Sequence, residues 1–147
     1  MGKPVLRAKW RRFIDLRGAD RRLLLRAVFW IGVARVWIAV LPFKQLATSL
    51  NADAGSADAD PELLGRIGWA IGAAAANVPW RSDCFPQSIA AHKMLQTHGY
   101  ASTIHLGVAK PGDGGSLAHA WVTCGDIVVT GEEQSGRYAE IHRLGEA

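Results

Sequence analysis

The spacing of hydrophobic residues predicts a helical first half of the chain. From Arg21 to Leu50 the apolar positions recur at intervals of three and four, with Pro42 as a break, so we predict one long helix and one short helix. Pro61-Glu62 is a favourable helix start, because proline fits the first helical position and a carboxylate suits the positive end of the helix dipole. The buried stripe predicted for this helix consists of Leu64, Ile67, Ile71, Ala74 and Ala75.

A fourth helix and three strands follow in the second half. Ser82 and Asp83 are candidate N-caps, and Pro86 is tolerated only in a first turn, so a helix should begin near residue 84 and end at Gly99. Beyond Gly99 the apolar residues alternate, which predicts strands in three stretches: Ile104 to Val108, Ala118 to Cys124 and Ile127 to Thr130. Helices followed by a small antiparallel sheet indicate an α+β domain.

The length of 147 residues suits one domain. We expect a single domain over residues 1–147, made of a basic helical N-terminal region (1–50), a small polar loop (51–61) and a core region (62–147). The hydrophobic share of 49%, with six tryptophans, is sufficient for a buried core.

The net charge of +4 is concentrated near the N-terminus. Nine of the first 26 residues are basic: Lys3, Arg7, Lys9, Arg11, Arg12, Arg17, Arg21, Arg22 and Arg26. We interpret them as a solvated arm with an amphipathic helix behind it, since neither a zinc-finger nor a basic-zipper pattern accompanies the charge, and we expect no nucleic-acid partner. An acidic peptide or partner protein is equally compatible.

Composition also bears on the compartment and on metals. Two cysteines do not make a disulfide framework, and no N-terminal secretion signal is recognisable, so we expect a cytoplasmic protein. The apolar stretch from Leu23 to Phe43 is interrupted by Arg26 and Arg35, so we expect no transmembrane segment, while a helix lying on a membrane surface stays an open alternative.

Cys84 and Cys124 lack the close Cys or His spacing of zinc sites, and we expect no metal and no cofactor.

Cys84 is the candidate nucleophile. It falls at the start of the predicted helix, where the positive end of the dipole stabilises a thiolate, the reactive form of cysteine. The alternative is a buried structural cysteine, which is how most free cysteines behave.

His119 is the preferred base among five histidines. His92 and His98 are downstream on the same helix and should point away from its start, as surface or partner-facing residues, and His142 belongs to a polar C-terminal tail. His105 and His119 are on strands that can pack across the helix start. We favour His119 because it directly follows the glycine-rich segment 110–116.

A third group should orient the imidazole. Asp126 is seven residues away, about 20 Å along an extended strand, which is too far. A regular hairpin around Gly125-Asp126 would place Glu132 opposite His119, and Glu133 if the turn is one residue longer. Cys124 is five residues beyond His119, on the opposite face, and we assign it a structural role.

Three segments resemble the leader peptidases of lasso-peptide biosynthesis, which have a transglutaminase-like (papain-like) core. They are VPWRSDCFPQS (78–88), GYASTIHLGV (99–108) and AHAWV (118–122); the similarity runs from about residue 63 to 130, and more faintly over Leu41-Pro42-Phe43. The resemblance implies N-terminal helices, then a catalytic helix packed on a small antiparallel sheet, and a catalytic set of Cys84, His119 and an acid.

The resemblance also implies an activity and partners. The family's enzymes are cysteine endopeptidases that remove the leader from a ribosomally made precursor, so that an ATP-dependent cyclase can close the ring. The precursor is therefore the implied substrate, a separate leader-recognition protein is an implied partner, and the cyclase is a further candidate. Relatives commonly carry Asp as the third catalytic residue, whereas Gly131-Glu132-Glu133 stands here. Two other readings stay open: a noncatalytic partner-binding scaffold, and acyl transfer to an amine on the same fold.

Overall fold

The fold is described from a computed structural model, which covers residues 3–51, 55, 58–79, 83–110, 112, 118–131 and 137–145. Five helices precede four strands: α1 (Lys3–Asp15), α2 (Gly18–Val40), α3 (Phe43–Leu50), α4 (Pro61–Asn77), α5 (Cys84–Thr97), β1 (Thr103–Ala109), β2 (Ala118–Cys124), β3 (Ile127–Thr130) and β4 (Tyr138–Leu144). The predicted α+β class is confirmed.

Local sequence signals account for most helix boundaries. Pro42 separates α2 from α3, as predicted, because its ring excludes a continuing helical backbone. Pro61 occupies the first turn of α4, and the carboxylate of Asp60 accepts a hydrogen bond from the backbone N–H of Glu62 at 3.0 Å. The basic N-terminal segment is helical from Lys3, as α1, and residues 8–12 within it are exposed.

The sheet is antiparallel, with the strand order β3-β2-β1-β4. In the β1–β2 pair, Ile104 lies opposite Val122 and His105 lies opposite Trp121. Directly opposed residues share a face. Ile104 and Val122 belong to the hydrophobic core, so their face is covered by the helices, whereas His105 and Trp121 lie on the second face, here called the outer face.

The fourth strand corrects the expectation of a polar C-terminal tail. β4 pairs with β1 through a bulge between Leu106 and Gly107. The bulge breaks the alternation, so Leu144 packs in the core beside Ile104, whereas Tyr138 lies beside His119 with ring centroids 5.0 Å apart.

The helices form a layer on the core face of the sheet. α2 packs against α4 and α5, and among the strands α5 packs mainly against β2. The guanidinium of Arg66 on α4 donates two hydrogen bonds, of 2.9 and 2.7 Å, to the Asp20 carboxylate at the start of α2. This pair is partly exposed, so its net contribution to stability is modest, on the order of 1 kcal/mol.

By length and composition alone, α2 could cross a membrane, with a mean hydropathy of 1.9 over its most apolar stretch. Core helices of globular proteins meet the same criteria, but only 22% of that stretch is buried. The helix is therefore apolar on more than the side that faces the core.

Candidate active site

Cys84 is the first residue of α5. Asp83 precedes it as the N-cap residue, in an extended conformation, and its carbonyl accepts the first helical hydrogen bond from the Gln87 N–H at 3.3 Å. The Cys84 side chain is half-buried. The Ser88 hydroxyl, one turn later, donates to the Cys84 carbonyl at 2.8 Å. The thiol therefore lies at a helix N-terminus, where the dipole favours negative charge.

His119 is the second residue of β2 and lies on the outer face. It is directly opposite Gly107 of β1, and it stacks on Trp121 with ring centroids 6.0 Å apart and planes 19° apart. Gly107 provides room for this arrangement, since a Cβ there would lie 2.9 Å from the Trp121 ring and 2.9 Å from the Tyr138 Cβ. The imidazole is held between aromatic neighbours on a sheet face that the helices do not cover.

The backbone of Gly131 contacts the imidazole of His119. Nε2 of His119 lies 3.2 Å from the carbonyl oxygen of Gly131. A carbonyl can only accept, so Nε2 must carry the hydrogen and donate it. The neutral ring then has its lone pair on Nδ1, and within the described part of the chain Nδ1 has no hydrogen-bond partner. Nδ1 is therefore the nitrogen that can act as a base.

Gly131 is suited to this contact by its backbone and by its missing side chain. Its φ is +80°, a conformation that residues with a Cβ rarely adopt. A Cβ would lie 2.8 Å from the Trp121 Cβ and 3.0 Å from Nε2 of His119. A larger residue would displace either the ring or the carbonyl that holds it.

His119 lies at the end of the β1–β2 pair that is remote from Ser102. The C-terminal half of α5 is tied to the start of β1, because Ser102, the residue before β1, hydrogen-bonds to Nδ1 of His92 at 2.7 Å. The antiparallel register then brings His119 of β2 beside Gly107, near the far end of β1. α5, which Cys84 begins, packs on β2, the strand that carries His119.

The two side chains nevertheless approach from different sides of the sheet. α5 packs on the core face, whereas His119 projects from the outer face near the start of β2. Among the described residues no hydrogen bond joins the Cys84 thiol to His119. Contact between the thiol and Nδ1 therefore has to be made around the end of the sheet.

The β2–β3 hairpin departs from a regular register after two pairs. Cys124 pairs with Ile127 and Thr123 with Val128, as predicted, but a bulge then shifts the register, so that Val122 pairs with Thr130, the last residue of β3. Glu132 and Glu133 lie outside the described residues, whereas Asp126 lies in the turn at the other end of β2.

His105 has both ring nitrogens occupied. Nδ1 lies 3.0 Å from the Glu140 carboxylate and Nε2 lies 2.8 Å from the Thr123 hydroxyl, while the ring stacks on Trp121 with planes 8° apart. The hydrogen bond from Arg143 lowers the pKa of the Glu140 carboxyl, and the bonds from His105 add to this, although burial opposes them. With no nitrogen available, His105 is a structural residue of the outer face.

The expectation that His92 is a surface or partner-facing residue is wrong. Its side chain is 1% exposed. Nε2 donates to the Leu50 carbonyl at 2.8 Å, and Nδ1 accepts from the Ser102 hydroxyl. Burial, with a smaller effect of Lys93, lowers the pKa of His92, although the Leu50 hydrogen bond opposes the shift. The helical pattern could not reveal this, because the partners come from α3 and from the start of β1.

The two other histidines do not approach Cys84. His98 is half-buried beyond the end of α5 and stacks on Tyr100, with centroids 6.2 Å apart. His142 is exposed, as expected, although it lies on β4.

Cys124 lies on the core face, as expected from its five-residue separation from His119. It is 2% exposed, and burial raises the pKa of its thiol. Among the described residues no group of three His, Cys, Asp or Glu side chains could hold a metal ion. A surface depression between α2 and α4, lined in part by Asp20, Arg66 and Trp69, contains neither Cys84 nor His119.

A half-buried cysteine begins a helix that packs on the strand carrying His119, and cysteine-dependent catalysis uses these two residue types. A family model for the transglutaminase-like superfamily matches residues 27–143, which is most of the chain. The protein therefore belongs to the transglutaminase-like superfamily, which includes cysteine peptidases and acyltransferases. No curated protein and no solved structure gives a significant match to this sequence.

Proposed function

We propose that this protein is a cysteine endopeptidase that removes the leader from a ribosomally made lasso-peptide precursor, with Cys84 as nucleophile and His119 as base. The superfamily supports the cysteine chemistry. The finer assignment rests on the three segments around Cys84, Gly99 and His119 that resemble lasso leader peptidases.

The observation that carries the proposal is the state of the His119 ring. The Gly131 carbonyl accepts from Nε2–H, which leaves Nδ1 as the basic nitrogen, and Cys84 begins the helix that packs on the strand carrying His119. Catalytic hydrogen bonds are often long or unformed without substrate and tighten in the complex. A bound peptide would have to bring the thiol and Nδ1 within about 3 Å of each other.

The reaction then proceeds in two balanced steps. Nδ1 takes the thiol proton, and the sulfur attacks the carbonyl carbon of the bond between leader and core. The C–N bond breaks, Nδ1–H gives its proton to the leaving amine, and the leader remains as a thioester. Nδ1 next takes a proton from water, the hydroxyl attacks the thioester, and the thiolate leaves and regains the proton. Backbone N–H groups at the start of α5 are suited to stabilise the oxyanion in both steps.

The third catalytic position need not be an acid side chain. A carbonyl that accepts from Nε2–H orients the ring and selects its tautomer, which are two functions of the acid in a triad. It does not supply a full negative charge to stabilise the imidazolium. Glu132, or Glu133, remains the proposed source of that charge.

The proposed partners follow from the substrate. The precursor leader has to be delivered to Cys84 by a separate leader-recognition protein, and the released core amine is the substrate of an ATP-dependent cyclase. We place the protein in the cytoplasm, where the precursor is made.

Intact-mass analysis of a lasso precursor, incubated with its recognition protein and this enzyme, tests the proposal. Wild type and Cys124→Ala should release the leader at one bond, whereas Cys84→Ala should not. Adding a primary amine separates hydrolysis from acyl transfer, since transfer would leave the amine on the leader carboxyl. Cleavage by Cys84→Ala equal to wild type, or none with any cognate precursor, would overturn the proposal.

A further inference from the structure

Helix α2 has two apolar faces that point in opposite directions. The face towards the core consists of Leu23, Ala27, Ile31 and Ala34, all buried. The other face carries four exposed large side chains, here called the α2 outer stripe: Leu25, Phe29, Val36 and Val40, which are 56 to 67% exposed. At about 100° per residue, these four fall within about 60° of arc, diametrically opposite the buried set.

Such a helix does not meet the expectation for the surface of a globular domain. A surface helix normally turns a polar face to water, and a helix that is apolar all round is normally buried. Here α4 and α5 cover only one side of α2. The outer stripe spans 16 residues, about 24 Å of helix, which is a larger apolar feature than single exposed side chains produce.

Basic residues flank the outer stripe. Viewed down the axis of α2, Arg26 lies at one edge of the outer stripe and Arg35 lies just outside its opposite edge. Arg21 and Arg22 lie at the N-terminal end of the helix. Arginines beside an apolar row can reach the level of anionic headgroups while the row enters the acyl boundary.

Helix α1 repeats this combination. Trp10 and Ile14, one turn apart, are 60% and 59% exposed, and Lys9, Arg11 and Arg12 beside them are exposed as well. Phe43, at the start of α3, is also exposed, at 53%, but its ring lies 6.4 Å from that of His142 on β4, so it is not counted in the outer stripe. Exposed large apolar residues and the positive charge of the chain are thus concentrated in the same first 43 residues.

We propose that the α2 outer stripe, with its flanking arginines, is a docking surface for an anionic membrane, to which the exposed side chains of α1 add, and that the protein lies on the membrane without crossing it. The buried face of α2 remains packed on α4 and α5, which is incompatible with a spanning helix. A phospholipid surface suits a convex ridge that consists of one apolar row between cationic edges, because it offers apolar depth and negative charge together. This surface is independent of Cys84 and His119, so it does not depend on the proposed peptidase activity.

Vesicle flotation with the full chain tests this proposal. Wild type should float with phosphatidylcholine vesicles that contain phosphatidylglycerol, and much less with phosphatidylcholine alone. High salt should reduce the bound fraction, because the arginine contribution is screened. The Phe29→Glu/Val36→Glu variant should lose at least tenfold in partition coefficient. The matched control is Ile127→Glu/Ile141→Glu, which adds the same charge at two exposed apolar residues outside the surface, and it should bind as wild type does.

Several outcomes would overturn the proposal. One is the absence of wild-type binding to anionic vesicles, and another is equal binding by the Phe29→Glu/Val36→Glu variant. Sedimentation provides a further test: a concentration-dependent dimer that this variant alone abolishes, without vesicle binding, would assign the surface to a second copy of the chain. Circular dichroism of each variant establishes that it is folded, and an unfolded variant is replaced by Leu25→Gln/Val40→Gln, for which the same tenfold loss is expected.

Discussion

His119 and Gly131 are joined by a hydrogen bond from an imidazole N–H to a backbone carbonyl, 3.2 Å long. The bond selects the Nε2–H tautomer and leaves Nδ1 as the basic nitrogen. Gly131 follows β3 directly, so the bulge between Val122 and Thr123, which shifts the β2–β3 register, also determines which backbone group reaches the ring. Because the acceptor is a backbone carbonyl, inspecting the sequence for acidic side chains cannot identify it.

Replacing Gly131 with alanine should reduce both catalysis and stability. The new Cβ would lie 3.0 Å from Nε2 of His119 and 2.8 Å from the Trp121 Cβ, so the ring or the carbonyl must move. We expect a loss of about tenfold or more in kcat, with little change in KM, because small misplacements of a catalytic group are costly. In ¹⁵N-histidine NMR spectra, the His119 signal should lose its Nε2–H signature.

Gly112→Ala is the control for this substitution. Gly112 also has a positive φ, +91°, but a Cβ there meets no atom of the described residues within 4 Å. Gly112→Ala should be destabilised by about 1 to 2 kcal/mol, the strain of a left-handed conformation. Gly131→Ala should be destabilised by more, because its Cβ also overlaps Trp121, and only Gly131→Ala should lose activity. A wild-type NMR spectrum with the hydrogen on Nδ1 would contradict the assignment whether or not the protein is a peptidase.

Glutamine substitutions at the two outer-face histidines should have opposite consequences. His119→Gln removes the proposed base and should lower kcat about 10²- to 10⁴-fold. His105→Gln should retain activity within a few-fold, because both nitrogens of His105 are occupied by Glu140 and Thr123. It should instead cost about 1 kcal/mol of stability through a weakened hydrogen-bond pair. Steady-state kinetics and urea unfolding of both variants provide the test, and a larger kinetic loss in His105→Gln would reverse the assignment.

The two cysteines should differ in reactivity towards iodoacetamide. Cys84 is half-buried at a helix start, whereas Cys124 is 2% exposed and burial raises the pKa of its thiol. We expect one adduct on the native protein at neutral pH, at Cys84, and two adducts in denaturant. Peptide mass mapping identifies the site. Cys84→Ala should remain unlabelled in the native state, and native labelling of Cys124 would contradict this prediction.

Stability should fall in mild acid because of His92. Its pKa in the folded state is lowered, chiefly by burial, so the unfolded chain binds more protons below its ordinary pKa of about 6.5. The stabilisation is therefore complete above about pH 6.5 and is lost as the pH falls towards the folded-state pKa. Urea unfolding of the wild type should show a lower free energy of unfolding at pH 5.5 than at pH 7.5.

The variant His92→Gln should be less stable at pH 7.5, by about 1 to 3 kcal/mol, because buried partners lose a hydrogen bond. Its difference between pH 7.5 and pH 5.5 should be smaller than in the wild type. Burial also lowers the pKa of His98, with Arg26 adding to the shift, so part of the pH dependence should persist. His142→Gln, at an exposed position, should match the wild type at both pH values. An unchanged pH dependence in His92→Gln would exclude His92 as the source.

The sequence by itself determined the elements whose signals are local. Pro42 separates two helices, Asp60 and Pro61 start α4, and Pro86 can only lie near the start of α5, because proline and cap residues act on their own backbone. The hairpin turn at Gly125-Asp126 is local in the same sense. The placement of Cys84 at a helix start was predictable for this reason.

Only the tertiary structure decided the contacts between distant segments. β4 shows no alternation, because its bulge sends Tyr138 and Leu144 to opposite faces of the sheet, so the pairing with β1 supplies the evidence for the strand. His92 is buried because Leu50 and Ser102 supply its partners from other elements. The ring of His119 is oriented by Gly131 through a register shift that no periodicity encodes. The side-chain pattern indicates which face of a helix or strand is apolar. It does not indicate which backbone group of another element will lie beside a given side chain, since that depends on how the elements pair.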